Sequence, residues 1–123
     1  MDKKKILVVE DETDVQKILQ ENLRGAGYEV ISATNGVEGV KAAHSEHPDL
    51  ILMDVIMPVK DGITAIKEIR QDDWGKNVPI VVLTNLSDGE RSDLVSEFGV
   101  KDYLVKADWD LHEVVTKIKE MLA

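Results

Sequence analysis

With 123 residues, the chain is sized for one compact domain. Its 24 Asp and Glu outnumber 15 Lys and Arg, and the formal net charge of -9 opposes direct binding to a nucleic-acid backbone. The absence of cysteine excludes disulfides, thiolate chemistry and cysteine-based zinc sites.

The N-terminal Met1-Asp2-Lys3-Lys4-Lys5 runs straight into Ile6, without the apolar core and small-residue cleavage site of a signal peptide. No window approaches the roughly 18 apolar residues of a membrane span. The cytoplasm is the expected location, with no membrane insertion.

In chain order, Ile6–Val9 is a short apolar run that predicts a first strand. Val15, Ile18, Leu19 and Leu23 follow at i, i+3, i+4 and i+8, the stripe of a helix that Gly25 and Gly27 stop. Tyr28–Ala33 is a weaker strand, and Gly36 separates it from a helix around Val37–Ser45. Leu50–Met53 is the third strand, and Ile63, Ile66 and Ile69 form the stripe of a third helix. Ile80–Leu83 is the fourth strand. Ser87 and Glu90 then have capping-box spacing before a weakly apolar helix carrying Leu94, Val95 and Phe98. Tyr103–Val105 is the fifth strand; Asp110 and Glu113 open a last helix with Leu111, Val114, Val115, Ile118 and Leu122 on one stripe.

The strand runs are rich in β-branched residues and lack in-out alternation, as parallel strands covered on both faces do. The β-α pattern recurs five times without a linker, low-complexity tract or internal duplication. An α/β fold with a five-stranded parallel sheet and helices on both faces follows, as one domain over 1–123.

In open parallel sheets, ligands bind beyond the carboxyl ends of the strands. Glu10 and Asp11 follow the first strand, Asp54 ends the third, Thr84 the fourth, and Lys106 the fifth. Three neighbouring carboxylates repel one another unless a cation joins them. An all-oxygen donor set suits Mg2+, which keeps several waters and prefers one or two carboxylates plus a phosphate oxygen. With the Lys106 ammonium and the Thr84 hydroxyl alongside, the set is an apparatus for a phosphoryl group, with Asp54 as candidate nucleophile. Each residue alone has a plainer reading as a helix cap or solvated side chain, and Tyr103 as a packed ring.

The stretches "ILVVEDE", "PDLILMDVIMPVKDG", "PIVVLTN" and "VKDYLVK" resemble the receiver domain of two-component response regulators, the CheY-like family, along the whole chain. The second is the most specific: strand, acid, Pro58 and Gly62 fall in family order. The resemblance implies a flavodoxin-like three-layer sandwich with strand order 2-1-3-4-5. It implies Asp54 as phosphoacceptor, Asp11 and Asp54 as Mg2+ ligands, Glu10 acting largely through water, and a further ligand in the backbone carbonyl of Ile56. Thr84 and Lys106 would bind the phosphoryl oxygens. Tyr103 would change rotamer and alter the surface of the fourth helix, fifth strand and fifth helix that an output partner reads. The donor would be a histidine kinase or phosphotransfer protein. Such a chain is not an enzyme, although it assists its own phosphorylation and dephosphorylation.

Three departures stand out. Ala107 follows Lys106 where the family usually has proline, often in a cis bond; a cis bond before alanine costs roughly 2.5–4 kcal/mol, so a trans peptide is expected, with rearrangement in "KADWDLHE". Asn85 stands where many relatives have a smaller residue. Ile56 and Leu86 put apolar side chains beside the acceptor, so slow self-dephosphorylation is expected. Two other classes stay open: a receiver-like structural or dimerising module without turnover, and an aspartate-nucleophile phosphatase of the haloacid dehalogenase type. The phosphatase needs an acid two residues after its nucleophile, where this chain has Ile56. Because the last helix completes the final β-α unit, a stand-alone receiver is expected.

Overall fold

The computed structural model describes residues 3–54, 62–84, 102–105 and 110–122. Strands β1 (Lys5–Val9), β2 (Glu29–Ala33), β3 (Leu50–Asp54), β4 (Ile80–Thr84) and β5 (Asp102–Val105) form one parallel sheet in the order β2-β1-β3-β4-β5. Helices α1 (Thr13–Gly25), α2 (Gly36–Glu46) and α3 (Gly62–Gln71) connect the first strands, a 3-10 turn at Trp74–Lys76 precedes β4, and a C-terminal helix spans Leu111–Leu122. The strand order is the one the resemblance implies. Ser87, Glu90 and the expected fourth helix lie outside the described residues, as does the Lys106–Ala107 bond.

The apolar runs of β1, β3 and β4 lack alternation because both faces of these strands are covered, whereas Glu29 and Ser32 of the edge strand β2 are exposed. Leu7, Val9, Ile51, Met53, Ile80 and Val82 point to one side, packing with Ala65, Ile66 and Ile69 of α3 and Ala43 of α2. Ile6, Val8, Leu50, Leu52, Val81 and Leu83 point to the other, against Leu19 and Leu23 of α1 and Val114 and Ile118 of the C-terminal helix. Each fully buried side chain of this size contributes about 1.5–3 kcal/mol relative to exposure.

The helix ends use local chemistry. After α1, Gly27 takes a φ of 101°, a left-handed conformation in which a side chain would be strained; its N–H donates to the Arg24 carbonyl at 3.0 Å. Asn35 caps α2, its Oδ1 accepting from the Glu38 N–H at 2.9 Å. Asp110 caps the C-terminal helix, accepting from the Glu113 N–H at 2.8 Å, as its spacing predicts. Arg70 near the end of α3 donates from Nη1 to the carbonyls of Gly75 (2.7 Å) and Val78 (2.8 Å), tying the turn before β4 to the helix.

In α1 the expected stripe is out of phase by part of a turn. Leu19 and Leu23 are fully buried and Val15 is half-buried, but Ile18 is 46% exposed. The buried stripe is completed instead by Gln16, which is 9% exposed. At roughly 100° per residue, Leu19, Leu23 and Gln16 fall within about 60° of arc, while Ile18 sits more than about 90° away from them all. The spacing i, i+3, i+4 fits both phases, and the sheet selects one. Leu19→Ala should therefore cost about 2–5 kcal/mol in urea unfolding, whereas Ile18→Ala should change stability by about 0.5 kcal/mol or less.

Candidate functional site

Strand register brings the ends of β1, β3, β4 and β5, which carry or precede the predicted site residues, to the carboxyl edge of the sheet. Val9 pairs with both Ala33 and Met53, so the chain emerges from β1, β2 and β3 at one level. Asp54, the next residue of β3, pairs with Leu83, one position before Thr84. Thr84 in turn pairs with Val105, the residue before Lys106. The side chains of Thr84 and Tyr103, together with all of Ile56 and Lys106, lie outside the described residues.

Glu10, Asp11 and Asp54 converge. Each offers a carboxylate oxygen, and these atoms all lie within 4.8 Å of one another. Glu10 is fully buried and Asp54 only 2% exposed; Asp11 is the more accessible of the three. At that separation two ionised carboxylates repel by on the order of 3 kcal/mol at an effective dielectric constant near 20.

Local hydrogen bonds hold the cluster against that repulsion. The Glu10 N–H donates to the Ala33 carbonyl at 3.1 Å, extending the β1–β2 pairing one residue past the strand. Glu10 Oε2 accepts from the Glu12 N–H at 3.0 Å, just ahead of α1, whose positive dipole end favours nearby negative charge. Gln16 Nε2 donates to the carbonyls of Glu10 (3.2 Å) and Ala33 (2.9 Å). The sequence reading overlooked Gln16; the signal available was its position one helical turn before Leu19 and two before Leu23, on the face that had to be buried. The oxygen-only donor set and its spacing fit a hard divalent cation.

The chemistry does not coincide with a groove of about 880 Å³ at the opposite edge of the sheet. There the cations Lys3, Lys5 and Arg24 are interspersed with Glu29 and Asp49. Lys5 is already engaged, its N–H donating to Asp49 Oδ2 at 2.7 Å and its Nζ lying 3.2 Å from Glu46 Oε1.

Comparison with known proteins gives the cluster its context. The family model described as the response regulator receiver domain matches residues 6–119. The alkaline phosphatase synthesis transcriptional regulatory protein PhoP of Bacillus subtilis is 41% identical over 119 residues, covering 97% of this chain and 48% of that protein. The chain spans about half the length of the curated relatives it matches. Among solved structures, the response regulator TrrA of Thermotoga maritima, in complex with Mg2+ and BeF, is 36% identical, with a TM-score of 0.82 and coverage of 96% of this chain and 98% of that one. The receiver domain of the sensor histidine kinase PA1611 of Pseudomonas aeruginosa, with magnesium coordinated in its active-site cleft, is 34% identical, with a TM-score of 0.85 and 97% coverage of both chains.

Crowded acids make a thermal test available. In metal-free buffer Asp54→Asn should raise the melting temperature by about 4 °C, roughly 1 kcal/mol for a chain of this size. Addition of a hard divalent cation should raise the melting temperature of the unmodified protein and leave that of the variant nearly unchanged, as read by differential scanning calorimetry.

Proposed function

The chain belongs to the response regulator receiver family, and from that premise we propose that it accepts a phosphoryl group on Asp54 from the phosphohistidine of a kinase or phosphotransfer protein. The observation that carries this reading is the convergence of Glu10, Asp11 and Asp54 at the carboxyl edge of the sheet. Residues 1–123 act as one receiver unit in this reading.

An Asp54 carboxylate oxygen attacks phosphorus, the bond from phosphorus to the donor imidazole nitrogen breaks, and the electron pair leaves with the imidazole. Glu10, Asp11, Asp54 and the Ile56 carbonyl would hold Mg2+, with Glu10 largely through water. When bound, the ion supplies positive charge against the carboxylates and the incoming phosphoryl oxygens. The Thr84 hydroxyl donates to one of those oxygens, and the Lys106 ammonium pairs with another. Burial of Asp54 keeps competing water away from the acceptor, so its charge is compensated by fixed groups, which need little rearrangement during transfer.

The switch is a population shift. Phosphoryl contacts of Thr84 and Lys106 favour one of two arrangements, Tyr103 adopts the matching rotamer, and an output protein reads the surface of the fourth helix, fifth strand and fifth helix. The output of any longer protein that carries this unit belongs to its other parts. The unit itself, at -9, works through protein contacts in the cytoplasm and makes no direct use of nucleic acid.

Incubation with acetyl phosphate and Mg2+ should add one phosphoryl group by mass spectrometry, at Asp54. Asp54→Asn or chelation by EDTA should abolish it, and a mass unchanged in the unmodified protein would favour the module without turnover. Ile56 lies two residues after Asp54 and Leu86 two after Thr84 in the sequence, and in this reading neither offers a polar group to a hydrolytic water. Their joint replacement by Asn and Glu should shorten the phosphoryl lifetime by about 10-fold, less than the roughly 10²–10⁴-fold that a side chain transferring a proton in the transition state contributes.

A further inference from the structure

We propose that Gln16 is a positioning residue for the acidic cluster, holding the Glu10–Asp11 peptide in the orientation that lets both acids share one cation. This rests on the reading of Glu10, Asp11 and Asp54 as a Mg2+ site.

The carbonyl that Gln16 Nε2 contacts at 3.2 Å is that of Glu10, so it belongs to the peptide linking Glu10 to Asp11. A change in ψ at Glu10 would turn its carbonyl off Gln16, displace the Asp11 Cα and swing the Asp11 carboxylate away from Asp54. The same nitrogen donates to the Ala33 carbonyl at 2.9 Å, which already accepts from the Glu10 N–H at 3.1 Å. The second bond therefore does not rescue an unsatisfied acceptor. It ties the end of β1 to the end of β2 at the level where the acids emerge.

Gln16 reaches this point from the first turn of α1, its own N–H donating to the Glu12 carbonyl at 2.9 Å. Glu12 in turn donates its N–H to Glu10 Oε2 at 3.0 Å. The loop from 10 to 16 is thus closed on itself by three hydrogen bonds, with Asp11 enclosed between them. Gln16 faces Leu19 and Leu23 along the stripe of α1 that packs on the sheet, where an apolar side chain of similar volume would serve packing as well. An amide there is explained by what it donates to. Mg2+ demands near-ideal octahedral geometry, so small displacements of a ligand-bearing peptide weaken it.

The test compares Gln16→Met, which keeps the volume and removes the donors, with Leu23→Ala, which loosens α1 at its far end. Mg2+ affinity of the full chain is read by isothermal titration calorimetry and stability by urea unfolding. The expected result is a Mg2+ Kd about 10-fold weaker for Gln16→Met and unchanged for Leu23→Ala, although the latter loses more stability. An unchanged Kd for Gln16→Met, or equal weakening in both variants, would overturn the inference and leave the Mg2+ site intact. Absence of Mg2+ binding by the unmodified protein would overturn both. Should Gln16→Met not fold, the unmodified protein decides by NMR. The Gln16 side-chain amide signals should shift on Mg2+ saturation together with the backbone amides of Asp11 and Asp54, and a Gln16 signal that stays still while those two move would count against the role.

Discussion

Glu10 and Asp54 stand side by side with almost no access to water, and Asp11 closes the group from the accessible side. Charges of one sign do not collect this way without help. The help comes from the parallel sheet, which ends three adjacent strands at one level and so brings separate stretches of the chain together at one edge. It comes also from the hydrogen bonds of Glu12 and Gln16, which fix the loop after β1. Removing the sheet core would scatter the acids.

What could be read from the residues follows from which patterns are unambiguous. Buried parallel strands give unbroken apolar runs such as Leu50–Met53, and an acid terminating such a run has few places to go other than a crevice, so Glu10, Asp11 and Asp54 were legible. The phase of α1 was not. Val15, Ile18, Leu19 and Leu23 share a spacing that two different faces satisfy, and only the sheet beneath decides that Ile18 points outward and Gln16 inward. Arg70 was invisible for another reason: its partners are the backbone carbonyls of Gly75 and Val78, and carbonyl partners leave no mark on residue type. The strand order came from family resemblance, because alternating elements alone permit several windings.

The alternatives part at different levels. A phosphatase of the haloacid dehalogenase type shares the strand-end aspartate, but the receiver match over residues 6–119 and the apolar Ile56 two residues past Asp54 leave it no support. A receiver-like module without turnover would have the same sheet and the same acids. Only chemistry separates it from a working switch. The bond between Lys106 and Ala107 and the environment of Asn85 bear on that difference and lie outside the described residues.

Among the described residues, the sheet divides the buried side chains into two chambers, one on each face. Met53 and Ile66 belong to one, Leu52 and Ile118 to the other, although Met53 and Leu52 are adjacent in sequence. Volume lost in one chamber can be refilled by a neighbour in that chamber and by nothing across the sheet. Pairs of substitutions under α3 should therefore show strong epistasis, whereas a substitution there and another beneath the C-terminal helix should combine by addition. Lineages descended from such a chain are free to rewrite one chamber while the other stands still, and neighbouring positions along a single strand will carry separate histories.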